Sequence, residues 1–346
     1  MIVVVCLNPA LDVTHHVPKV DWAGVNRPAD VYARPGGKGT NVARALHSFG
    51  SSILLTGLVG GTTGSAVAAA LDELGVPAAF TATAGETRRT FTVVDGEGRA
   101  ALFNEPGPEV SEAEFLRFRL VYGEALTGAD AVVLSGSLPR GLPPTAYAEL
   151  IAVAAEAGVP VVLDTSGDAL RAGVAAGPAI VKPNLDELRA LSERARSGRA
   201  ACRRSLPEEA LSADGDGTDL VAVAAAAAGL RAAGAQAVVA SLGPDGLLAV
   251  TSDGSWHARP ATVRGNATGA GDAVTAALAH GLVLGRPWAD RLRHAAALGA
   301  ASVAAPVAGE FSQADYTAAL RAVTVQPVPA VQPVPPPASA REKEAC

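Results

Sequence analysis

The stretch Asn266-Ala267-Thr268-Gly269-Ala270-Gly271-Asp272-Ala273 joins a glycine-containing turn to an apolar run of small residues. This pattern predicts a turn that leads into a helix. The start of a helix suits a phosphate or a developing negative charge, because its N–H groups have no helical partner and its dipole is positive there. Asp272 would lie in the first helical turn, where a carboxylate can take a proton from a nucleophile. The stretch therefore indicates phosphoryl transfer to a hydroxyl group.

The bulk composition limits the partners that we expect. The chain has 346 residues, enough for one large α/β domain or two smaller ones, and 49% of them are hydrophobic. A net charge of -6 argues against a nucleic-acid partner, because binding a phosphate backbone needs an excess of cations. No run reaches the roughly 18 apolar residues that a membrane span requires, so we expect no membrane association.

The beginning of the sequence and its cysteines indicate a cytoplasmic protein. Residues 1–7 carry no basic leader or cleavage site, so they are interpreted as a buried strand rather than a signal peptide. Cys6, Cys202 and Cys346 are scattered, show no metal-ligand spacing and cannot all pair with one another. A reducing cytosol is the simple inference.

Strand-like and helix-like segments alternate along most of the chain, which predicts an α/β fold with a parallel sheet covered on both faces. Strands are predicted over 2–7, 53–59, 131–134, 161–164, 180–182, 237–241, 247–250 and 257–263. Helices are predicted over 41–49, 65–74, 145–157, 185–194, 220–233, 270–284, 288–304 and 312–322.

The remaining segments divide the chain further. The α/β core is expected to comprise 1–10, 36–85 and 105–324. The extended segments 11–35 and 86–104 are interpreted as a small β lid, which would exclude water from a reacting phosphate. An exposed lid sheet has apolar residues to cover, so a homodimer formed through the lids is a hypothesis. Residues 194–218 are predicted to be a flexible insertion, and residues 325–346 a disordered proline-rich tail.

Two N-terminal features are candidate ligand-binding elements. The loop Arg34-Pro35-Gly36-Gly37-Lys38-Gly39-Thr40-Asn41 allows close approach of a ligand to the backbone, although a tight turn before a helix explains it equally well. It is not a Walker A loop, because Gly39 stands where Ser or Thr must follow Lys38. Asp12 follows the first strand and can accept hydrogen bonds from sugar hydroxyls; the alternative is an Asx turn.

Three further loops follow predicted strands. Asn184 and Glu187 form a capping-box pattern, and they are also candidates for a Mg²⁺–nucleotide phosphate site, Glu187 acting through water. The loop containing Ser241, Gly243 and Gly246 either makes a simple glycine turn or lines a nucleotide pocket. Ser137 lies in the third loop. Several cations near these loops would suit a phosphate already on the substrate, although each is most often a solvated surface charge: Arg27, Lys38, Arg88, Arg89 and Arg140.

In their order, these motifs resemble the PfkB (ribokinase-like) family of carbohydrate kinases over residues 1 to about 322. Gly36-Gly37-Lys38-Gly39-Thr40-Asn41-Val42-Ala43 resembles the N-terminal signature of the family, and Gly269-Ala270-Gly271-Asp272 its C-terminal signature. The segments 7–12, 104–108 and 135–139 are most similar to the hexose-phosphate branch, which holds 1-phosphofructokinase, tagatose-6-phosphate kinase and a minor 6-phosphofructokinase.

The resemblance implies a three-layer α/β/α domain and a reaction that uses ATP and Mg²⁺; it leaves a need for K⁺ open. It implies that Asp272 is the catalytic base and that Gly269, Ala270 and Gly271 form the anion hole. The implied sugar-binding residues are Asp12, Gly37, Gly39, Asn41 and Ser137. Those implied for the sugar's phosphate are Lys38, Arg27 and Arg88, with Arg140 a further candidate.

We therefore expect an ATP-dependent kinase that converts fructose 1-phosphate to fructose 1,6-bisphosphate. The alternatives are a tagatose-6-phosphate kinase or 6-phosphofructokinase, a kinase of an unphosphorylated sugar or nucleoside, and a non-catalytic sugar- or nucleotide-binding regulator. Ala267 and Ala273 depart from the family pattern, each replacing a common hydroxyl residue. Leu102 stands where some 6-phosphofructokinases of this branch carry Arg, which argues against fructose 6-phosphate as the substrate.

Overall fold

The computed structural model describes residues 1–197, 218–263, 265–305 and 310–329. The strands are β1 Ile2–Cys6, β2 Ala10–His16, β3 Asp30–Gly36, β4 Ile53–Val59, β5 Ala78–Ala82, β6 Arg88–Val94, β7 Ala100–Asn104, β8 Ala131–Ser135, β9 Val161–Asp164, β10 Ile180–Val181, β11 Val238–Ser241, β12 Leu247–Val250, β13 Ser255–Arg259 and β14 Thr324–Val328. The helices are α1 Lys38–Ser48, α2 Gly61–Glu73, α3 Glu112–Ala125, α4 Ala146–Glu156, α5 Gly167–Ala175, α6 Leu185–Ser197, α7 Leu220–Ala232, α8 Ala270–Val283, α9 Trp288–Ala304 and α10 Gln313–Ala322.

Ten strands form a central sheet in the order β14-β13-β12-β11-β10-β9-β8-β1-β4-β5. The run from β11 to β5 is parallel, and β12, β13 and β14 extend it with antiparallel pairs. The apolar strand β1 alternates between the two faces: Val3 and Val5 pack with α3–α7, whereas Ile2 and Val4 pack with α1, α2 and α8–α10. Helices therefore cover both faces, and the predicted three-layer α/β/α fold is confirmed.

A second, smaller sheet has four strands in the order β3-β2-β6-β7. Its two central strands, β2 and β6, run parallel, and each has an antiparallel partner on its outer side. The turn Asp95–Gly98 joins β6 to the antiparallel strand β7, so the two strands form a hairpin within the predicted extended segment 86–104. Both β2 and β3 join the core next to the glycine-rich turn, so the small sheet stands over the start of α1.

The predicted disordered tail is wrong at its beginning, because residues 324–328 form β14 against β13. Pro327 is tolerated there, since β14 is an edge strand with one side unpaired. Likewise, 194–197 belong to α6 rather than to a flexible insertion; the rest of that predicted segment up to 217, and residues 330–346, lie outside the described residues. No helix within the described ranges is long and apolar enough to cross a membrane.

Candidate active site

The buried carboxylate of Asp272 lies in the first turn of α8, where the sequence predicted it. Gly269 precedes the helix with φ 85°, a left-handed conformation that glycine adopts without strain. The side chain of Asp272 is 6% exposed, and Asn41 Nδ2 donates to its Oδ2 at 2.9 Å. Thus the two glycine-rich motifs, 231 residues apart in the chain, meet through one hydrogen bond.

Burial and a neighbouring negative charge set the proton affinity of this carboxylate. Burial raises the pKa of Asp272 to about 7, and the charge of Asp164 adds to the rise. The Asn41 hydrogen bond and the charges of Lys38 and Lys182 act in the opposite direction. A group that titrates near neutral pH is well suited to accept a proton during a reaction at that pH.

Asp164 is the centre of an ion network near Asp272, in which Asp164 and Lys182 are buried and the side chain of Lys38 is 46% exposed. It ends β9 and lies 3.3 Å from Lys182 Nζ and 3.6 Å from Lys38 Nζ, measured from its two carboxylate oxygens. Thr275 Oγ1 donates to Asp164 Oδ2 at 2.8 Å. Burial alone would raise the pKa of Asp164, but the two lysines and the threonine hold it below its usual value. Asp164 in turn raises the pKa of Lys38.

Sequence reasoning missed the roles of Asp164, Lys182 and Thr275, and it included Lys182 only as the last residue of the strand predicted over 180–182. A signal for Asp164 was present, because it follows the apolar run Val161–Leu163 at the carboxyl end of a strand, where ligands bind in open α/β sheets. Thr275 gave no such signal, since its hydroxyl meets β9 only once α8 is packed on the sheet.

The glycine-rich turn is shaped by close packing against β1 and β2. A Cβ at Gly39 would lie 2.6 Å from the Cβ of Cys6, and one at Gly36 would overlap the carboxylate of Asp12. Gly37 has φ 91° and caps α1. These glycines allow α1 to begin directly over the end of β1. In this position, Asn41 in the first turn of α1 lies within hydrogen-bonding distance of Asp272.

A cleft of about 890 Å³ separates the small sheet from the core. Asp12 and Asn41, two of the predicted sugar-binding residues, line it, and burial raises the pKa of Asp12. The other lining residues are Thr14, His16, Tyr32, Arg34, Pro35, Arg44, Thr90, Thr92, Val94, Gly98, Ala100, Leu102, Gly265, Asn266 and Thr268. The cleft therefore combines hydrogen-bonding groups with apolar side chains of the small sheet, such as Val94 and Leu102.

The cations and the hydroxyl that were predicted to hold the substrate do not all lie at the cleft. Arg88 donates to the carbonyl oxygens of Asn8 and Glu105 at 3.2 and 3.4 Å. Ser137 accepts a hydrogen bond from Asn8 Nδ2 at 3.2 Å. Arg27 is exposed in the loop beyond the outer ends of β2 and β3, so the structure does not bring it to the cleft.

Arg140 is also exposed, and its carbonyl oxygen accepts from the Val110 amide at 2.8 Å. These contacts place Arg140 at a backbone junction outside the cleft lining.

The predicted nucleotide loops lie side by side at the same sheet edge. The Ser241 amide donates to the Pro183 carbonyl at 3.0 Å, and Ser241 forms a parallel bridge with Asn184. Asn184 and Glu187 make the full capping box: each backbone N–H donates to the other side chain at 2.8 Å. The charge of Glu187 also raises the pKa of Lys38, so the two groups are within electrostatic reach of each other.

Gly243 begins a short turn with φ 59° and Gly246 ends it with φ 92°; a Cβ at Gly246 would overlap the Ala258 carbonyl. Asp245 fixes this turn from both sides. Thr218 Oγ1 donates to Asp245 Oδ2 at 2.7 Å, and His257 Nε2 lies 2.7 Å from the Asp245 carbonyl oxygen. The turn is therefore a rigid element next to Asn184.

Comparison with known proteins agrees with this geometry. The pfkB family of carbohydrate kinases matches residues 4–314. The chain belongs to this family. It is an ATP-dependent sugar kinase with the ribokinase-like fold.

Solved structures of family members superimpose over most of the chain. Phosphofructokinase-2 from Escherichia coli, in complex with potassium, has a TM-score of 0.79 and 29% identity, covering 92% of this chain and 98% of that one. The tetrameric inhibited form of that enzyme is 30% identical with the same TM-score and coverage. A possible 1-phosphofructokinase from Thermotoga maritima has a TM-score of 0.78 and 26% identity, covering 95% and 99%. Ribokinase from Thermotoga maritima, at 20% identity and TM-score 0.70 with 92% and 99% covered, shares the fold.

Proposed function

We propose that this kinase transfers the γ-phosphoryl group of ATP to the 6-hydroxyl of fructose 1-phosphate, forming fructose 1,6-bisphosphate. The observation that carries the proposal is the buried carboxylate of Asp272, with a pKa of about 7, at the start of a helix and bonded to Asn41 in the sugar cleft. A binding protein without catalysis has no use for a carboxylate held at an anion site against the cost of its burial.

In the proposed reaction, Asp272 accepts the proton of the sugar hydroxyl. The hydroxyl oxygen forms a bond to the γ-phosphorus, the bond between that phosphorus and the β–γ bridging oxygen breaks, and ADP leaves with the bond's electrons. Of the predicted anion-hole residues, Ala270 already donates its N–H to the Ala267 carbonyl oxygen at 3.2 Å. The N–H groups of Gly271 and, beside it, Asp272 would therefore stabilise the charge on the transferred group at the start of α8. Lys38 and Lys182, held by Asp164, supply positive charge below it.

The nucleotide and its magnesium ion fit the loops beside this network. Asn184, Glu187, Ser241, Gly243 and Gly246 would line the ATP site. Among the described residues no group of three or more His, Cys, Asp or Glu side chains has the arrangement of a metal site. Mg²⁺ on a nucleotide needs few protein ligands because it keeps waters and phosphate oxygens, so a single water-mediated contact from Glu187 suits it. The bound ion would neutralise phosphate charge.

The sugar would lie in the cleft between Asp12, Asn41 and the small sheet. Asp12 and Asn41 would bind hydroxyls, and Gly37 and Gly39 would keep the backbone close to them. Leu102 lines the cleft from β7 with an apolar side chain, which supports fructose 1-phosphate over fructose 6-phosphate at that position. The small sheet would act as the lid that excludes water.

We further propose a cytoplasmic homodimer that is formed through the lids. Apolar side chains in the loop beside the small sheet, and on the sheet's face away from the cleft, are more than half exposed: Trp22, Val25, Val31 and Phe103. Such a patch is typical of a protein interface. Light scattering after gel filtration tests this: Trp22→Glu should yield monomers, and a wild-type protein that is already monomeric would contradict the dimer.

A panel of sugars and sugar phosphates, assayed for ADP release, tests the substrate. We expect the highest kcat/KM with fructose 1-phosphate. A higher kcat/KM with tagatose 6-phosphate, fructose 6-phosphate or an unphosphorylated sugar would reassign the substrate within the family. ADP release with none of them, in a protein that binds ATP, would contradict the catalytic role altogether.

A further inference from the structure

One buried arginine at the sugar cleft has no part in the reaction described above. Arg44 lies near the middle of α1, lines the cleft and is 8% exposed. A guanidinium group so far removed from water costs free energy unless anionic groups lie close to it. The anions that surround Arg44 therefore indicate what it does.

Two carboxylates act on Arg44. Glu310 Oε1 accepts from Arg44 Nη2 at 2.8 Å and from Arg34 Nη1 at 3.0 Å. Burial lowers the pKa of Arg44, and the charges of Glu310 and Asp12 oppose that effect. Arg34 stands directly opposite Asp12 in the pairing of β2 with β3, so both side chains project from the same face of the small sheet. Two arginines and two carboxylates therefore form one cluster, in which their formal charges cancel.

The surroundings of Asp12 determine whether its carboxylate is ionised. Burial raises the pKa of Asp12, whereas a hydrogen bond from Thr90 and the charges of Arg88 and Arg44 lower it. The guanidinium of Arg88 donates to two backbone carbonyl oxygens, and that of Arg44 is buried, so its charge is little screened by water. Arg44 thus offsets part of the cost of keeping Asp12 ionised in the cleft.

The other elements that pack around Asp12 add little charge. The helix α2 also packs against β2, and its first charged residue is Asp72, near its C-terminal end. On β6, Thr90 is paired with Asp12, and the adjacent Arg89 projects from the opposite face of the sheet. Among the described residues, the charged groups near Asp12 are Arg34, Arg44, Arg88 and Glu310.

The position of Arg44 on α1 relates Asp12 to the reaction centre. Asn41 precedes Arg44 by three residues, so both side chains lie on the same face of the helix, one turn apart. Asn41 donates to Asp272, and Arg44 interacts with Asp12. One helix therefore connects the proposed base to the carboxylate that is proposed to bind the sugar.

We propose that Arg44 is a positioning residue for the sugar: it keeps Asp12 ionised and oriented, so that Asp12 accepts hydrogen bonds from sugar hydroxyls at a fixed distance from Asp272. The inference rests on the proposed function, since that function assigns Asp12 to the sugar. An ionised carboxylate accepts on both oxygens, whereas a protonated one has to donate from one of them. Protonation of Asp12 therefore weakens sugar binding, and Arg44 confines that protonation to lower pH.

Calorimetric titration with fructose 1-phosphate at pH 8 and pH 5 tests this role. Both proteins carry Asp272→Asn, so that the proposed base does not titrate, and one of them also carries Arg44→Gln. Titration of the ligand's own phosphate affects both proteins equally, so the ratio of their Kd values reports the protein alone. We expect this ratio, with Arg44→Gln in the numerator, to grow about three- to tenfold from pH 8 to pH 5, the range expected for losing one partly buried opposite charge. If the ADP-release panel selects a different sugar phosphate, that compound is titrated instead.

Two variants separate positioning from a merely structural role. Arg44→Lys keeps the positive charge and should restore the pH dependence of Kd. Arg291→Gln is the matched control, because Arg291 is also 8% exposed, but its guanidinium stacks over Trp288 outside the cleft lining. It removes a buried guanidinium and should leave the pH dependence of Kd unchanged. A Kd ratio for Arg44→Gln that is equal at pH 8 and pH 5 would overturn the inference.

Carbon-13 NMR of labelled aspartate side chains follows Asp12 without a ligand, with its signal identified by its loss in Asp12→Asn. The midpoint of its titration should move to higher pH in Arg44→Gln, because a charge that favours the ionised form is lost. It should move to lower pH in Glu310→Gln, because a carboxylate that offsets Arg44 is lost. A moved midpoint in a protein that releases no ADP with any sugar phosphate would support the coupling of Arg44 to Asp12 and contradict the proposed function. Normal turnover with an unmoved midpoint in Arg44→Gln would contradict the inference alone.

Discussion

Replacing Asp272 by Asn should abolish most catalysis and stabilise the protein above neutral pH. Burial raises the pKa of Asp272 from 3.8 to about 7, and a pKa that differs by one between the folded and unfolded states corresponds to about 1.36 kcal/mol. Between these two pH values the folded state retains a proton that the unfolded state has lost. Stability therefore falls as pH rises through this window, by at most about 4 kcal/mol. Asn carries no charge, so the stability of the variant should not fall in this pH range. Its side-chain oxygen can still accept the hydrogen bond from Asn41.

Urea denaturation at pH 5 and pH 8 measures the effect on stability. We expect the free energies of unfolding of Asp272→Asn and the wild type to be closer to each other at pH 5 than at pH 8. At pH 8 the value for Asp272→Asn should be the higher one. Its kcat should fall by roughly 10²–10⁴, the usual contribution of a general base. Asp72→Asn makes the same charge change at an exposed position in the last turn of α2; it should leave kcat unchanged and alter the free energy of unfolding by no more than about 0.5 kcal/mol. An Asp272→Asn protein that is less stable than the wild type at pH 8, or that turns over normally, would disprove the roles assigned to this carboxylate.

Three further changes test the network and the fold. Asp164→Asn leaves the ammonium group of Lys182 buried without a carboxylate partner, so chemical denaturation should show a loss of about 3–5 kcal/mol in the free energy of unfolding. The acid limb of the pH profile of kcat/KM should also move to lower pH, because the negative charge that raises the pKa of Asp272 is gone. An unmoved limb would contradict that coupling. Gly39→Ala should lower the free energy of unfolding by about 1–3 kcal/mol through overpacking. Gly229→Ala should raise it, because among the described residues no atom outside the adjoining backbone of α7 lies within 4 Å of the new Cβ. The reverse order in thermal melts would contradict the packing argument. Ending the chain after Val323 removes β14 and should lower the melting temperature, whereas ending it after Pro329 keeps that strand; equal melting temperatures for these two truncations would show that β14 contributes nothing.

The fold was largely readable from the sequence because its parts carry strong local signals. The helix predicted over 288–304 spans those residues in the structure, and the strand over 53–59 also agrees. α3 was overlooked although Ser111 and Glu114 form a capping box, a signal that the sequence displays. β14 was hidden by Pro327, because proline argues against a strand unless the strand lies at the edge of a sheet, and edge position is a property of the assembled fold.

The site was predictable where one motif supplies both the backbone geometry and the side chain. Asp272 and Asn41 each follow a glycine-rich turn, and those turns are visible in the sequence. The ion network was not predictable in this way. Asp164 and Lys182 come from neighbouring strand ends, and Thr275 reaches them from a helix on top of the sheet, so their meeting depends on packing. Glu310 likewise meets Arg34 and Arg44 across 276 and 266 residues.

Phosphorus-31 NMR of the protein with Mg²⁺–ATP and fructose 1-phosphate follows the proposed phosphoryl transfer itself. We expect the γ-phosphorus signal of ATP to disappear as a second sugar phosphomonoester signal, at the 6-position, grows in equal amount. Asp272→Asn should slow both changes together. Release of the γ-phosphoryl group as inorganic phosphate at the same rate with and without sugar, or transfer that proceeds normally in Asp272→Asn, would show that this carboxylate does not direct transfer to the sugar.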